Sequence, residues 1–536
     1  MSLDSGQPRP SNACPEARAP GAGSMPPAVP QGVEVSAEDW RQTPPSVRAL
    51  VLRLLAEWAE AREQLAALKG RLEELEERLR TDSHNSSKPP SSDLPSNREA
   101  RRPEEKPRGE RKPGGQPGHE GKSRPLVPPE DVAEVVECRP PSQCDCGGAV
   151  EPQGGEPRRR QVWDLPPQKA HVTEYRLWAG TCTQCGRSYP GALPPGVPCG
   201  MLGPRAMAIV ALLSGKFHLS KRNIEEILED LFGLPLGLGT VSNTEARVEA
   251  ALQKPVEEAK AFVHAQAVVH MDETGWNQAG QKRWMWTALT SLVAVFAIRA
   301  SRGAQAVAEL LGTAFRGFLV SDRWSAYSRV AAARRQLCWS HLKRDFTRLA
   351  ERTGASAAIG TPLLDATRAL FGLWHNFRDG PLSRAALQEA MRPLRQRVEA
   401  LLDEGTRCGH AKTQRTCQRI LNLAPALWTF VDTPGVEPTN NAAERAIRPA
   451  VWWRQASFGT HSEHGNRFVE SLLTVSTTCR LQARNVLDYL VCTIQAHLSG
   501  QPAPSLIPSP LEANQPCTPN RIIQSNRVNG YLESRK

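Results

Sequence analysis

The most regular pattern of apolar residues lies near the N-terminus of the chain. Apolar side chains recur there in alternating steps of three and four residues, with Glu, Arg and Lys between them. Such an a/d pattern predicts a helix over 45–80 that self-associates as a coiled coil. An amphipathic helix packed on its own domain is the alternative, but the polar, Pro-rich flanks favour association. The apolar positions are Val51, Leu54, Trp58, Ala61, Leu65, Leu68, Leu72, Leu75 and Leu79.

Two apolar runs in the second half of the chain each end in an acid. AQAVVHMDET predicts a strand that closes at Asp272, and GFLVSDRWSAY predicts one that closes at Asp322. Between them, RWMWTALT and SLVAVFAIRA predict a hairpin, followed by a helix over 304–311. Strand, hairpin, helix, strand and then further helices is an α/β order. It is compatible with a ribonuclease H-like sheet over 263–499.

The remaining segments differ in pattern and composition. Residues 201–262 predict two helices, the second opened by Thr240 or Ser242, and suit either a helix-turn-helix DNA-binding domain or a plain helical hairpin. Residues 130–200 combine a cysteine cluster with β-like runs such as HVTEYRLWAG and predict a small separate domain. Stretches rich in Pro and Gly predict a disordered arm (1–44), a basic linker (81–129) and a disordered tail (500–536).

Composition narrows the class of protein. A chain of 536 residues with 40% hydrophobic residues is expected to form about two to four structured units. The net charge of +11 favours a polyanionic partner. Since neither a signal peptide nor an apolar stretch of about 18 residues is visible, we expect no membrane span and a cytoplasmic location. Clustered cysteines in a reducing compartment bind metal more often than they form disulfides.

Five cysteines between Cys138 and Cys185 predict a Zn²⁺ site. Cys182 and Cys185 have the C-x-x-C spacing of half a zinc site. Cys144 and Cys146 are the candidates for the other two ligands, with Cys138 as an alternative to Cys144. Reduced cysteines without metal are the competing interpretation.

The two strand-end acids favour a second kind of metal site. Asp272 and Asp322 on neighbouring strands would hold negative charge close together, which is costly unless a cation compensates it. Mg²⁺ prefers carboxylate oxygens and retains waters for a substrate. Capping of a turn or helix is the alternative for either acid taken singly.

A third acid lies in PTNNAAERAIRP. Glu444 falls one turn inside a predicted helix capped by Asn440 or Asn441. Together with Arg445 and Arg448 it suits a site that binds a metal and a phosphate. A surface salt bridge between Glu444 and Arg448 is the alternative.

These motifs resemble a known family. MDETGW, SDRWSAY, CWSHLKRDF and TNNAAERAIRP, in that order, resemble DDE-type insertion-sequence transposases of the IS66 family. The resemblance covers roughly 45–495 and includes HNSSKPPSSD, KPGGQPGHEG and RFVESLLTVSTTCRLQARNVLDYL. It implies a ribonuclease H-like core with a helical insertion, at about 350–436, before the glutamate.

The resemblance also implies an activity and its residues. Asp272, Asp322 and Glu444 would bind Mg²⁺ or Mn²⁺ for strand cleavage and strand transfer at the ends of an insertion sequence, without a covalent enzyme intermediate. Glu273 follows Asp272 in a strand, so it is expected to point away and is not counted as a ligand. Cys338 and His341 offer only two ligands and are interpreted as a helix-face pair near the active site. The candidate phosphate contacts are Lys343, Arg344, Arg445, Arg448 and Arg454.

The partners implied are double-stranded DNA, as terminal repeats and as target, further copies of the chain, and accessory proteins. A location at the bacterial nucleoid follows from the DNA partner. A catalytically inactive, transposase-derived DNA-binding protein is the alternative function.

Overall fold

The computed structural model describes residues 34–86, 126–151 and 158–507, together with Val29 and Asp93. The chain divides into two compact units, Met1–Asp82 and Ser83–Lys536. Most of the predicted arm, linker and tail therefore lies outside the described residues.

A long helix dominates the first unit. Helix α1 (Ala37–Gln42) is followed by α2 (Pro45–Arg80), whose 36 residues extend about 54 Å. Proline suits the first position of α2 because the backbone N–H that it lacks would have no partner there. The leucine stripe of α2 is uncovered in the single chain, with Leu54 52%, Leu68 65% and Leu79 61% exposed.

The described residues of 126–151 and 158–200 contain little regular structure. Strands β1 (Gly180–Thr181) and β2 (Ser188–Tyr189) form an antiparallel pair. The run HVTEYRLWAG, predicted as β-like, is fully described and is not part of a strand before Gly180, so this prediction is wrong. Val172 is 84% and Trp178 78% exposed, so neither side chain gains the burial that stabilises a strand.

Three helices precede the sheet: α3 (Pro204–Gly215), α4 (Lys221–Phe232) and α5 (Leu238–His264). Helix α5 begins after Gly237, so the prediction that Thr240 or Ser242 opens it is wrong. The Ser242 hydroxyl instead donates to the carbonyl of Leu238 at 3.1 Å, inside the first turn.

The predicted α/β core is present as a mixed five-stranded sheet. Its elements are β3 (Val268–Gln278), β4 (Gln281–Leu289), β5 (Ala294–Arg299), α6 (Ala304–Leu311), β6 (Phe318–Ser321) and β7 (Arg335–Leu337). The strands lie in the order β5-β4-β3-β6-β7. Strand β4 is antiparallel to both of its neighbours, β3 and β5, whereas β6 runs parallel to β3 and β7 parallel to β6.

Helices fill the stretch between β7 and the predicted catalytic glutamate. They form a second hydrophobic core around Trp339, Phe346 and Trp428, which also includes Val320 of β6 and Leu337 of β7. The two ends of this stretch meet, because the backbone N–H of Trp339 donates to the carbonyl of Pro438 at 2.9 Å. The helices are α7 (Trp339–Ala350), α8 (Ala355–Asp379), α9 (Arg384–Gly405), α10 (Ala411–Leu421) and α11 (Thr429–Asp432).

Helix α13 closes one edge of the sheet. Backbone N–H groups of Ala294 and Phe296 in β5 donate to the hydroxyls of Thr478 and Thr474, each at 3.1 Å. Four helical residues rise about 6 Å and two strand residues about 6.6 Å, so the two sets of groups stay in register. An edge strand covered in this way does not pair with a further strand. The last helices are α12 (Asn441–Ser457), α13 (Glu463–Leu481) and α14 (Val486–Leu498).

The described start of the predicted linker packs against α7. The buried Asn85 donates from its side chain to Glu351 at 2.7 Å, and its carbonyl accepts from Arg348 Nε at 2.7 Å. In the described part of the chain, no helix is long and apolar enough to cross a membrane. Short 3₁₀ turns lie at Pro129–Asp131, Ser325–Arg329, Ala332–Arg334 and Ala424–Leu427.

The uncovered leucine stripe predicts self-association through α2. Replacing Leu65 and Leu68 together with Lys should lower the molar mass measured by light scattering to that of one chain, because charge at a and d positions opposes packing. The pair Ala66→Lys and Ala67→Lys adds the same charge outside the stripe and should leave the molar mass unchanged. A coiled-coil dimer is contradicted if the Leu65/Leu68 variant keeps the wild-type molar mass.

Candidate active site

Two acids lie side by side where β3 and β6 stop pairing. In the parallel register, Val268 lies opposite Phe318 and His270 opposite Val320, and the same offset places Asp272 beside Asp322. The prediction that Asp272 closes its strand is wrong, because β3 continues to Gln278 against β4. Strand β6 does end just before Asp322, so both acids lie at the end of the parallel pair.

Asn440 joins the start of α12 to the central strand. It is the predicted cap by position, but its side chain makes no capping hydrogen bond. The Asn440 amide instead donates to the carbonyl of Met271 at 2.7 Å, and its Oδ1 lies 3.2 Å from His270 Nδ1. Burial lowers the pKa of His270 to about 4, so its imidazole is neutral and Nδ1–H can donate to this oxygen. Glu444, one turn into α12, is thereby fixed relative to Asp272.

The three predicted acids interact electrostatically. Burial raises the pKa of Asp272 well above its usual range, and the charges of Glu273, Glu444 and Asp322 raise it further. A carboxyl group in this environment favours its protonated form unless a cation is bound nearby. The structure therefore places Asp272, Asp322 and Glu444 close enough to act on one another electrostatically, and we call these three acids the cluster. Among the described residues, their carboxylate oxygens do not form a group that lies entirely within 4.8 Å.

A buried arginine that the sequence analysis missed partly compensates the negative charge of the cluster. Arg335 is only 1% exposed, and its Nη2 donates to the backbone carbonyl of Asp322 at 3.0 Å. Burial lowers the pKa of this guanidinium, and the charge of Asp322 opposes that shift. A single arginine in a short strand carries no sequence signal of this role.

Glu273 is held by its own partners. Arg302 Nε donates to Glu273 Oε1 at 2.8 Å, and the hydroxyl of Tyr327 donates to Oε2. Burial raises the pKa of Glu273, with the charge of Asp322 adding to the rise and these partners opposing it. Both of its oxygens are engaged, although the charge of Glu273 still reaches the cluster.

Cys338 and His341 lie directly beside Glu444. The sequence shows only two ligands here, and the structure adds the third. Of the residues that the structure describes, these three form the one group of three or more candidate ligands whose atoms all lie within 4.8 Å of one another. His341 Nδ1 is 3.5 Å from Glu444 Oε1, and Arg344 Nη2 is 4.0 Å from Glu444 Oε2. Burial, followed by the charge of Glu444, raises the pKa of the Cys338 thiol to about 11.

The candidate phosphate contacts fall into two groups. Lys343, Arg445 and Arg448 are exposed, and Arg344 is half-buried beside Glu444. Arg454 is engaged by strand β3, since its Nη1 donates to the carbonyl of Gly275 and to Thr274 Oγ1. Arg454 is therefore attached to the sheet, whereas none of the described strands holds the other four side chains.

The predicted zinc ligands approach one another only within each pair. A backbone hydrogen bond from Gly148, followed by the contact with the Cys144 thiol, lowers the pKa of Cys146. Backbone hydrogen bonds from Cys185 and Gln184, followed by the contact with the Cys185 thiol, lower the pKa of Cys182. Among the described residues, the two pairs do not form a group of closely spaced ligands.

Acids gathered at the end of parallel strands in an α/β sheet are typical of proteins that bind divalent cations. The model of the Transposase IS66 family matches residues 199–467. The chain belongs to this family, as its motifs predict, and membership implies a DNA substrate and the use of a divalent metal ion. A Family of unknown function (DUF6444) matches residues 41–125.

Two relatives come from Sinorhizobium fredii. The chain is similar to uncharacterized protein y4qI, with 26% identity over 414 residues, which is 70% of this chain and 74% of that protein. It is also similar to uncharacterized protein y4hP, with 25% identity over 394 residues, covering 66% and 70% of the two chains.

The raised pKa of Asp272 predicts a pH-dependent cost to folding. Stability from a carboxyl whose pKa is raised on folding is fully present below the unfolded pKa, near about 3.9, and is lost as pH rises through the folded pKa. Without added divalent cation, Asp272→Asn should therefore be more stable than wild type by on the order of 1–2 kcal/mol at alkaline pH, and the gain should shrink towards about pH 4.

Thermal unfolding at several pH values measures this difference. Asp365→Asn, which removes an acid paired with Arg368 on the surface of α8, should show no comparable gain. If Asp272→Asn matched wild type at every pH, the carboxylate cluster would carry no folding cost.

The exposed cysteine segment predicts a dependence on zinc. None of the residues described in 126–151 and 158–200 is buried, so this segment needs a further source of stability, which a structural zinc ion would supply. Cys185→Ser should bind about one zinc equivalent less than wild type and make this segment more sensitive to limited proteolysis. Cys199→Ser removes an exposed cysteine of the same segment and should change neither measurement. Equal zinc content in all three proteins would exclude Cys185 as a ligand.

Proposed function

We propose that this protein cleaves DNA strands at the ends of an insertion sequence and transfers them to a target. Asp272, Asp322 and Glu444 hold the catalytic divalent cation in this proposal, on a ribonuclease H-like core. The observation that carries it is the shared position of Asp272 and Asp322 at the end of the parallel strands, with the charge of Glu444 acting on Asp272. The IS66 family match supports the reaction class.

The residues of the cluster fit Mg²⁺ or Mn²⁺. They offer carboxylate oxygens, the donors that these cations prefer, and Glu444 Oε1 is buried without a hydrogen-bond partner. When bound, such cations polarise the scissile phosphate and lower the pKa of the attacking water or 3′-hydroxyl. The repulsion that raises the pKa of Asp272 would be relieved at the same time.

Each neighbouring residue has a definable part in this proposal. Asn440 fixes α12 to β3 and so positions Glu444 relative to Asp272. Arg335 keeps the chain at Asp322 in place through its carbonyl. Glu273 is occupied by Arg302 and Tyr327 and therefore supports the cluster without binding the cation.

DNA would reach the cluster past basic side chains. Lys343 and Arg344 on α7 and Arg445 and Arg448 on α12 flank Glu444, and phosphate contacts from such residues position a strand without reading its sequence. Arg454 would act mainly by holding β3. Two DNA ends require at least two copies of the site, which matches the proposed association through α2.

Asp322→Asn tests the proposal. An amide keeps the shape of the side chain and can still accept the 2.8 Å hydrogen bond from the backbone N–H of Trp324, but it loses the charge that binds metal. Cleavage of terminal DNA in Mg²⁺ should fall by several orders of magnitude, the scale expected when metal assistance contributes several kcal/mol. Affinity for the same DNA in a gel shift should remain within about threefold, because phosphate contacts lie elsewhere.

Asp365→Asn serves as the matched control and should retain both cleavage and binding. Wild-type cleavage by Asp322→Asn would refute the assignment of this acid. Binding without cleavage by the wild-type protein, in Mg²⁺ and in Mn²⁺, would favour the catalytically inactive DNA-binding protein.

A further inference from the structure

One set of potential metal ligands near the cluster is chemically unlike the three acids. Cys338 is the residue before α7 and His341 lies three residues later, so helical spacing places both near one face. Glu444 approaches from the first turn of α12. The set contains one sulfur, one imidazole nitrogen and one carboxylate oxygen, all within 4.8 Å of one another.

The distances suit a small tetrahedral ion. Two donors at about 2.0–2.1 Å from a tetrahedral zinc ion lie about 3.4 Å apart. His341 Nδ1 and Glu444 Oε1 are 3.5 Å apart, close to this separation. Only small side-chain movements are therefore needed to bring both atoms onto one ion.

Two of the donor atoms are left unsatisfied by the protein itself. His341 Nδ1 and Glu444 Oε1 are both buried and neither makes a hydrogen bond. A buried polar atom without a partner is unfavourable, and one metal ion bound between these two atoms would satisfy both. Arg344 faces the other oxygen of Glu444, at 4.0 Å, and leaves Oε1 available.

The sulfur is held in a position from which it could bind the same ion. The backbone N–H of Asn440 donates to Cys338 Sγ at 3.1 Å and so opposes the larger effects of burial and of Glu444, which raise the pKa of this thiol. A bound metal ion would therefore displace the thiol proton, as metals commonly do at cysteine ligands. Sulfur and imidazole nitrogen are ligands for Zn²⁺ and similar ions, whereas Mg²⁺ selects oxygen. Three protein ligands leave the fourth position of the ion for water.

We propose that Cys338, His341 and Glu444 form a Zn²⁺ site that competes with the catalytic cation for Glu444. Zinc bound there withholds the third carboxylate from Asp272 and Asp322 and stops strand cleavage. The binding site stands independently, while its inhibitory effect rests on the proposed function.

Cobalt titration of the full-length protein tests the binding site. Co²⁺ bound to a thiolate gives a charge-transfer absorption band, and the wild-type protein should bind about one equivalent more than Cys338→Ser. Serine retains an acceptor for the N–H of Asn440, so the variant should keep its fold. His341→Gln, which leaves every thiol in place, should lose the same equivalent.

Cys417→Ser is the matched control, because this thiol is also fully buried but lies in α10 within the insertion. Its cobalt stoichiometry should equal that of wild type. Any cobalt bound by Cys144, Cys146, Cys182 and Cys185 should be the same in wild type and in every variant, so it cancels from the comparison. Equal cobalt binding by wild type, Cys338→Ser and His341→Gln would overturn the proposal.

Zinc titration of Mg²⁺-dependent cleavage tests the competition. The zinc concentration for half inhibition should rise with the Mg²⁺ concentration. Relative to its own uninhibited rate, Cys338→Ser should need at least about tenfold more zinc, since changes around a metal site typically weaken binding by that factor or more. If Cys338→Ser cleaves DNA and is inhibited by the same zinc concentration as wild type, competition through this site is refuted. Absent cleavage by wild type would instead refute the proposed function, with the cobalt result still deciding the site.

Discussion

Repulsion among carboxylates where β3 and β6 stop pairing is the constraint on which the site depends. Asp272 is surrounded by the charges of Glu273, Asp322 and Glu444, and burial adds to the cost of its ionisation. Arg335 stabilises the backbone at Asp322, but within the described residues no side chain forms an ion pair or a hydrogen bond with the carboxylate of Asp272. The arrangement is costly in the free protein and suited to a divalent cation.

The same constraint explains how the surrounding elements are attached. Helix α12 must hold a carboxylate against the repulsion of its neighbours, and the buried Asn440 side chain ties that helix to the backbone next to Asp272. Arg302 and Tyr327 occupy Glu273, which leaves fewer free carboxylate oxygens competing for the metal. These polar contacts would take no part in the reaction itself, but they determine which carboxylates remain available to bind a metal ion.

Local pattern in the sequence was enough to predict the α/β core, the two strand acids and the helix that bears Glu444. Each of these depends on residues within one element, where apolar alternation and capping preferences act. The tie from Asn440 to Met271 and the approach of Cys338 to Glu444 depend on contacts between segments about a hundred residues or more apart. Neither leaves a periodic signal in either segment.

The cysteine segment shows the opposite failure. HVTEYRLWAG contains the β-branched and aromatic residues that favour strands, yet this preference stabilises a strand only where one face is buried against other residues. Val172 and Trp178 remain exposed, so the backbone there gains little from pairing. Residues that favour a strand therefore predict one only when other residues are present to cover one of its faces.

The backbone hydrogen bond between Trp339 and Pro438 has a consequence for the order of folding. Glu444 must find Asp272 across a long intervening chain, and closing so long a loop costs conformational entropy. The helical stretch between β7 and α12 packs around one hydrophobic core, together with Val320 and Leu337 of the sheet, and its two ends meet at that hydrogen bond. If this core forms early, the loop that remains to be closed between Asp272 and Glu444 is less than half as long, and bringing the acids together then costs less conformational entropy.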